Sequence, residues 1–255
     1  MALLDAFIIT NSEEELIQYA LESYASLGDL LGIVSVIDNN SSDATLEIID
    51  SFKDRLNLVV QHEYHHAHHG KMRTMAMEPC TAPWIAYLDS DESWTSNMAD
   101  WLRTGELEQA DLWGFYKYTT ILDRFHYVDG GNGPTERLFR NLSGRNFPQS
   151  IHTEIQHPGL SRRRLAEKVY FFDATATKSY ESLWAKGMRY AWAARENVPA
   201  IGGPAEYIVR VQNALNIYPE RNKEFPEDIR RLIFTGPDAV PGHPGIPWGK
   251  LKLGE

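Results

Sequence analysis

The sequence predicts an α/β protein with a mostly parallel central sheet and helices on both faces. Three observations carry this expectation. Short apolar runs alternate with amphipathic segments through the first 95 residues. Each apolar run ends in a polar cluster, and helix-start signals follow the first two clusters. The chain has 255 residues, 43% of them hydrophobic and 24% charged, enough for one sizeable α/β domain.

The elements follow in order. Asp5 to Thr10 is an apolar strand ending in a polar turn. Ser12 and Glu15 have capping-box spacing, so a helix is expected from there, with Leu16, Ile17, Ala20, Leu21 and Tyr24 on one face and Gly28 as its stop. Ile33 to Ile37 is a second strand, running into a polar turn from Asp38 to Asp43. Ser42 or Asp43 is the expected cap of a helix carrying Leu46, Ile49 and Phe52. Leu56 to Val60 is a third strand, Lys71 to Met77 a helix, and Trp84 to Leu88 a fourth strand that ends at Asp89-Ser90-Asp91-Glu92. Beyond this the pattern is less regular. Strands are expected at Leu112 to Leu122, Phe125 to Val128 and Arg137 to Asn141, an amphipathic helix at Ser179 to Arg195, and an irregular tail at Gly236 to Gly249.

Composition excludes some functions. The formal net charge is −10, which disfavours a nucleic-acid partner despite the local run Arg162, Arg163 and Arg164. No apolar run approaches the roughly 20 residues of a membrane span. The first ten residues read as a strand and not as a signal peptide, and the single cysteine, Cys80, fits a reducing, cytoplasmic setting.

In a parallel sheet, ligands sit beyond the carboxyl ends of the strands. Three polar clusters fall there: Thr10 to Glu13, Asp38 to Asp43, and Asp89 to Glu92. Asp89 and Asp91, two residues apart, offer hard oxygen ligands suited to Mg²⁺ or Mn²⁺, which bridges diphosphates. By itself such a pair is more often just two surface acids at a strand end.

Three blocks place that pair in context. FIITNSEEELIQYALESY, IVSVIDNNSSDATLEII and APWIAYLDSDESW resemble, in order and spacing, the opening strand and helix, the acidic second turn and the metal motif of family 2 glycosyltransferases. RLFRN with IHTEI, and KSYESLWAKGMRY, resemble later acceptor-side segments of some members. The resemblance implies a GT-A fold over residues 1–195, with a donor-binding half of about 1–95, an acceptor-side half of about 96–195, and a partly irregular extension at 196–255. It implies a metal-dependent, inverting transfer of a sugar from a nucleotide-sugar to an acceptor hydroxyl. UDP-sugars come first among donors, with GDP- and dTDP-sugars as alternatives. The acceptor could be a glycan, a protein, a lipid carrier or another small molecule.

Residue by residue, the resemblance sets Thr10, Asn11 and Glu13 beside base and ribose, and Asp38 against one of these. It sets Asp89 near ribose or metal and Asp91 on the metal. Glu154 is the candidate base, with His152 as a metal or phosphate contact, because strand alternation would turn both into one cleft. In relatives with this block the acid often directly follows the histidine. Here Thr153 intervenes, so a structural role for both stays open.

Further signals have two readings each. His62-Glu63-x-x-His66 matches a zinc-peptidase pattern, which needs one helix face. The same stretch also reads as a solvated loop, or as a donor-side loop whose Lys71 and Arg73 hold phosphate. Arg137 and Arg140 are candidates for phosphate or acceptor, or for salt bridges. Trp94 is a candidate sugar platform, or core. The alternatives to a transferase are an inactive nucleotide- or glycan-binding module and, more remotely, a zinc hydrolase.

Overall fold

The structure is a computed structural model that describes residues 2–64, 68–121, 126–128, 134–148, 154–175, 178, 182, 184–186, 222–224 and 227–230. The chain opens as β1 (Leu4–Thr10), α1 (Ile17–Ala25), β2 (Leu31–Asp38), α2 (Thr45–Asp50), β3 (Asn57–His62), α3 (His69–Met77) and β4 (Trp84–Asp89). These are the elements expected from the alternating pattern, with ends shifted by a few residues. The largest shift is at α1. The capping box does not form: Leu16 sits at the N-cap with no side-chain bond, and Ser12 has φ 51°. The backbone amides of residues 12–14, with the side chains of Ser12 and Glu14, bond across to the next loop instead.

β1 to β4 pair in parallel in the order β4-β1-β2-β3. The chain steps from β1 out to β3 and then returns to the far side of β1. That reversal opens a crevice at the carboxyl ends of β1 and β4. Register puts Thr10 beside Asp38 and Ile9 beside Asp89, so the three acidic turns share one rim.

β1 is buried along its whole length because both its faces are covered. Leu4, Ala6 and Ile8 pack with Ile17, Leu21 and Tyr24 of α1, whereas Phe7 and Ile9 pack with Met72 and Ala76 of α3. Asp5, also buried, accepts backbone N–H bonds from Ile33, Thr81 and Ala82, tying the feet of three segments together. Gly32 is required beside it, since a Cβ there would run into Asp5 Oδ1.

The second half adds antiparallel strands to this parallel core. β5 (Glu92–Trp94), α4 (Met98–Arg103), β6 (Leu112–Ile121), β7 (His126–Val128), β8 (Pro134–Arg140), β9 (Arg163–Asp173) and β10 (Asn222–Glu224) follow. β8 lies antiparallel between β4 and β6, β7 and β10 extend that edge antiparallel, and only β6 with β9 is parallel. β5 turns back to pair antiparallel with β9, which carries the sheet round the end of β4. β9 was not expected from the sequence. Its charged first half masks the apolar Val169-Tyr170-Phe171-Phe172 run, and Lys168 at φ 66° breaks its alternation. Ser182 and residues 184–186 are helical, in line with the expected late helix. The rest of that helix, most of the 196–255 extension and the expected tail lie outside the described residues. No described helix is long and apolar enough to cross a membrane.

Candidate donor site at the sheet rim

Two loops build one wall of the crevice. After β1, the Ser12 amide donates to Ser41 Oγ at 2.8 Å, the Glu13 amide to Thr45 Oγ1 at 2.7 Å and the Glu14 amide to an Asp43 carboxylate oxygen at 3.1 Å. In return the Ala44 amide donates to Glu14 at 2.9 Å and the Ser42 amide to Ser12 Oγ at 3.2 Å. Asn11 Nδ2 donates to the Asn39 carbonyl. Short polar side chains replace missing helix caps here, which explains why both turns are rich in Ser, Asn and Asp. Asp38 is buried beneath its turn, accepting the Ser41 amide at 3.2 Å and lying 3.3 Å from His62 Nδ1.

The crevice is an open cleft. Thr10, Asn11, Glu13, Asn39, Asp89, Ser90, Asp91 and Lys186 line it, with His69 and Met72 from α3.

Asp89 is clamped. Arg73 Nη2 reaches its carboxylate at 2.5 Å and Arg137 Nη2 lies 3.5 Å away. Both guanidiniums also pack on the Tyr87 ring, at 5.1 and 4.6 Å from its centroid. Arg137 in turn donates to Glu92 at 2.6 Å, and Glu92 accepts the Asp89 amide at 3.0 Å. Burial opposes ionisation of Asp89, but Arg73 and Arg137 outweigh it and hold the carboxyl far below its ordinary range. Glu92 is pushed up to about 7 by burial, against the pull of Arg137, with Asp89 adding to the rise.

Asp91 is held from another direction. One oxygen, Oδ2, accepts Thr175 Oγ1 at 2.7 Å, Lys178 Nζ at 2.9 Å and Lys186 Nζ at 2.5 Å. Its carbonyl accepts the Ala174 amide at 2.9 Å. Burial is again overcome, here by the two ammonium groups, so Asp91 also stays ionised far below the ordinary range. Lys178 makes a second ion pair, to Glu13 at 2.5 Å, and burial raises Glu13 in spite of it. Oδ1 of Asp91 accepts no hydrogen bond from the described residues. A hard divalent ion takes such an oxygen and completes its shell with phosphate and water, so the residues fit a cation held by a single carboxylate. No group of three or more potential protein ligands is assembled among the described residues.

The structure thus brings Thr10, Asn11, Glu13, Asp89 and Asp91 to one cleft and sets Asp38 just beneath it. Other expected residues go elsewhere. Lys71 is exposed on α3 and does not line the cleft, and Arg73 holds Asp89. Trp94 is corrected from sugar platform to core: it is fully buried, edge-on to Phe115 and Phe171 at 4.9 and 6.1 Å. Arg140 pairs in register with Trp84, at the opposite end of β4 from the cleft. It binds Glu108 and Asp111 at 2.6 and 3.2 Å. Glu154 is exposed in irregular chain, near Glu136 and outside the cleft lining, so the strand alternation invoked for it does not apply. His152 and His66 lie outside the described residues. His62 closes β3 and Glu63 follows in coil, which denies the zinc-peptidase pattern its helix face. Arg162 and Arg163 of the basic run are spent on Asp111 and Glu136. Cys80 is buried and pushed up to about 12 by burial, so it is no nucleophile at neutral pH.

Sequence reasoning missed Thr175, Lys178, Lys186 and the role of Glu92. A signal was present: four acids meeting at one rim need countercharge, and the late block KSYESLWAKGMRY carries two lysines.

A parallel half-sheet with acids at its switch point, completed by an antiparallel return, is a GT-A-type architecture. The chain belongs to glycosyl transferase family 2, whose profile matches residues 5–170. Among solved structures, S. aureus TarS 1-349 matches at TM-score 0.53 and 17% identity, covering 87% of this chain and 71% of that one. The same fragment in complex with UDP-GlcNAc matches at 0.53 and 17%, covering 87% and 72%. Of a longer TarS structure the chain covers 43%. The mannosyltransferase PcManGT from Pyrobaculum calidifontis, in complex with GDP-Man and Mn²⁺, matches at 0.52 and 14%, covering 86% and 71%. No curated protein matches the sequence.

Proposed function

We propose that this glycosyltransferase binds a nucleotide-sugar, UDP-linked in the first instance, across the cleft at the ends of β1, β2 and β4, and transfers the sugar with inversion to an acceptor hydroxyl. The observation that supports this reading most is the convergence of Thr10, Asn11, Glu13, Asp89 and Asp91 on one cleft at the topological switch point. Thr10, Asn11 and Glu13 would meet base and ribose, and Asp38 would act from below by holding the 39–41 turn in place. Asp89, fixed by two arginines, presents a preorganised carboxylate that needs no reorientation when the donor enters.

A Mn²⁺ or Mg²⁺ ion at Asp91 Oδ1 would stabilise the charge on the leaving diphosphate. The chain's own residues keep Asp91 ionised and correctly turned. Glu154 is the proposed base for the acceptor hydroxyl. This rests on its place in the acceptor-side block alone, since Glu154 stands outside the lining of the cleft.

Incubation of purified protein with UDP-, GDP- and dTDP-sugars, reading released nucleotide with and without candidate acceptors, tests the reading. Release from one nucleotide class, stimulated by an acceptor, is expected. No release from any donor, together with no nucleotide binding, would leave an inactive module as the better description.

A further inference from the structure

Four carboxylates of the rim are met by cationic side chains, while Asp38 lies against His62. Four acids, Glu13, Asp89, Asp91 and Glu92, face four bases, Arg73, Arg137, Lys178 and Lys186, and each acid lies within 3 Å of a base. A site that must draw in a divalent cation usually leaves carboxylate charge uncompensated. Here the charge at Asp91 is already met, by two ammonium groups on one of its oxygens.

The two lysines are not equivalent. Lys178 is 2% exposed, bridges Glu13 and Asp91, and belongs to the wall. Lys186 is 14% exposed and lines the cleft itself, with its ammonium 2.5 Å from Asp91 and 3.3 Å from Thr175 Oγ1. A flexible four-carbon stem lets its ammonium follow a phosphate while Lys178 continues to neutralise Asp91.

We propose that Lys186, backed by Lys178, supplies the positive charge that binds the donor's diphosphate, so that a nucleoside diphosphate enters this cleft without a divalent ion. The inference rests on the donor-cleft reading above and deepens it. It assigns diphosphate binding to a side chain of this protein, and leaves a cation at Asp91 Oδ1 to act on the transfer step.

Isothermal titration of UDP and GDP into the full chain, in EDTA and again with Mn²⁺ or Mg²⁺, tests it. The expected result is saturable binding in EDTA, which Mn²⁺ or Mg²⁺ tightens but does not create. Lys186→Met should weaken binding in EDTA by about 10- to 100-fold, the effect of losing one charge-assisted hydrogen bond. Lys186→Arg, which keeps the charge, should retain most of the affinity, and melting curves establish that both variants fold. Binding seen only with metal, or a Lys186→Met variant that binds normally in EDTA, overturns the inference and leaves the donor cleft standing. Absence of binding under both conditions, for every nucleoside diphosphate, overturns the donor reading and the inference together.

Discussion

Asp91→Asn separates a residue that only holds a metal from one that also holds the fold together. Asparagine keeps the shape of the side chain and removes its charge. In the native protein that charge meets Lys178 at 2.9 Å, Lys186 at 2.5 Å and the Thr175 hydroxyl at 2.7 Å, with Asp91 itself 5% exposed. Removing one partner of a buried ion pair costs about 3–5 kcal/mol. Lys178 keeps Glu13 at 2.5 Å, and Lys186 can turn toward solvent, so the cost falls to the foot of that range or just below it, roughly 2–3 kcal/mol. For a chain of this size that is a fall of about 5–10 °C in melting temperature. Circular-dichroism melts measure it, and released nucleotide measures the accompanying loss of transfer.

The pH dependence has a definite sign. The native carboxyl is depressed relative to the unfolded chain, so its stabilisation is present above about pH 4 and fades as pH falls further. The gap between parent and variant should therefore begin to close below about pH 4. A variant that melts within about 2 °C of the parent at pH 7 would refute the claim that the two lysines are anchored on Asp91.

Glu154→Gln should slow transfer by about 10²- to 10⁴-fold with donor affinity nearly unchanged, as expected for a lost general base. Turnover within about threefold of the parent would remove Glu154 from that role and turn attention to Glu136, Asp123 and Asp129. Asp38→Ala strips the Ser41 amide of its buried acceptor and should lower stability by about 1–3 kcal/mol, while weakening donor binding more than turnover. Unchanged urea stability and donor affinity would show that the 39–41 turn does not depend on it. Trp94→Ala should cost about 3–5 kcal/mol as a core truncation, and the loss should appear equally in the presence and absence of donor. A stable variant with a selective loss of acceptor affinity would restore Trp94 as a sugar contact.

The donor half was legible in the sequence because its information is local. A period-2 apolar run, a turn of Asn, Ser and Asp, and a helix face each declare themselves within about ten residues, and parallel strands joined by helices have few ways to connect. Those rules alone put Thr10, Asp38 and Asp89 at one edge. The missed capping box shows the limit even there: Ser12 has the right spacing to cap its own helix, yet its amide and hydroxyl bond the 41–42 turn, a partner some 30 residues away.

The second half was decided by tertiary structure. β9 is too charged and too interrupted to announce itself, and it becomes a strand because β6 and β5 offer it ladders on both sides. Arg137 and Arg140 lie three residues apart on β8, and the sheet sends one to the cleft and the other to the far end of β4, a separation no motif encodes. Trp94 follows the Asp-x-Asp pair closely and yet turns inward, because β5 doubles back beneath the rim. The countercharge on Asp91 comes from 87 and 95 residues further along the chain. The sequence determined which acids stand at the rim. Only the folded chain decided which cations neutralise them, because burying a carboxylate requires a partner in space and places no condition on where in the chain that partner lies.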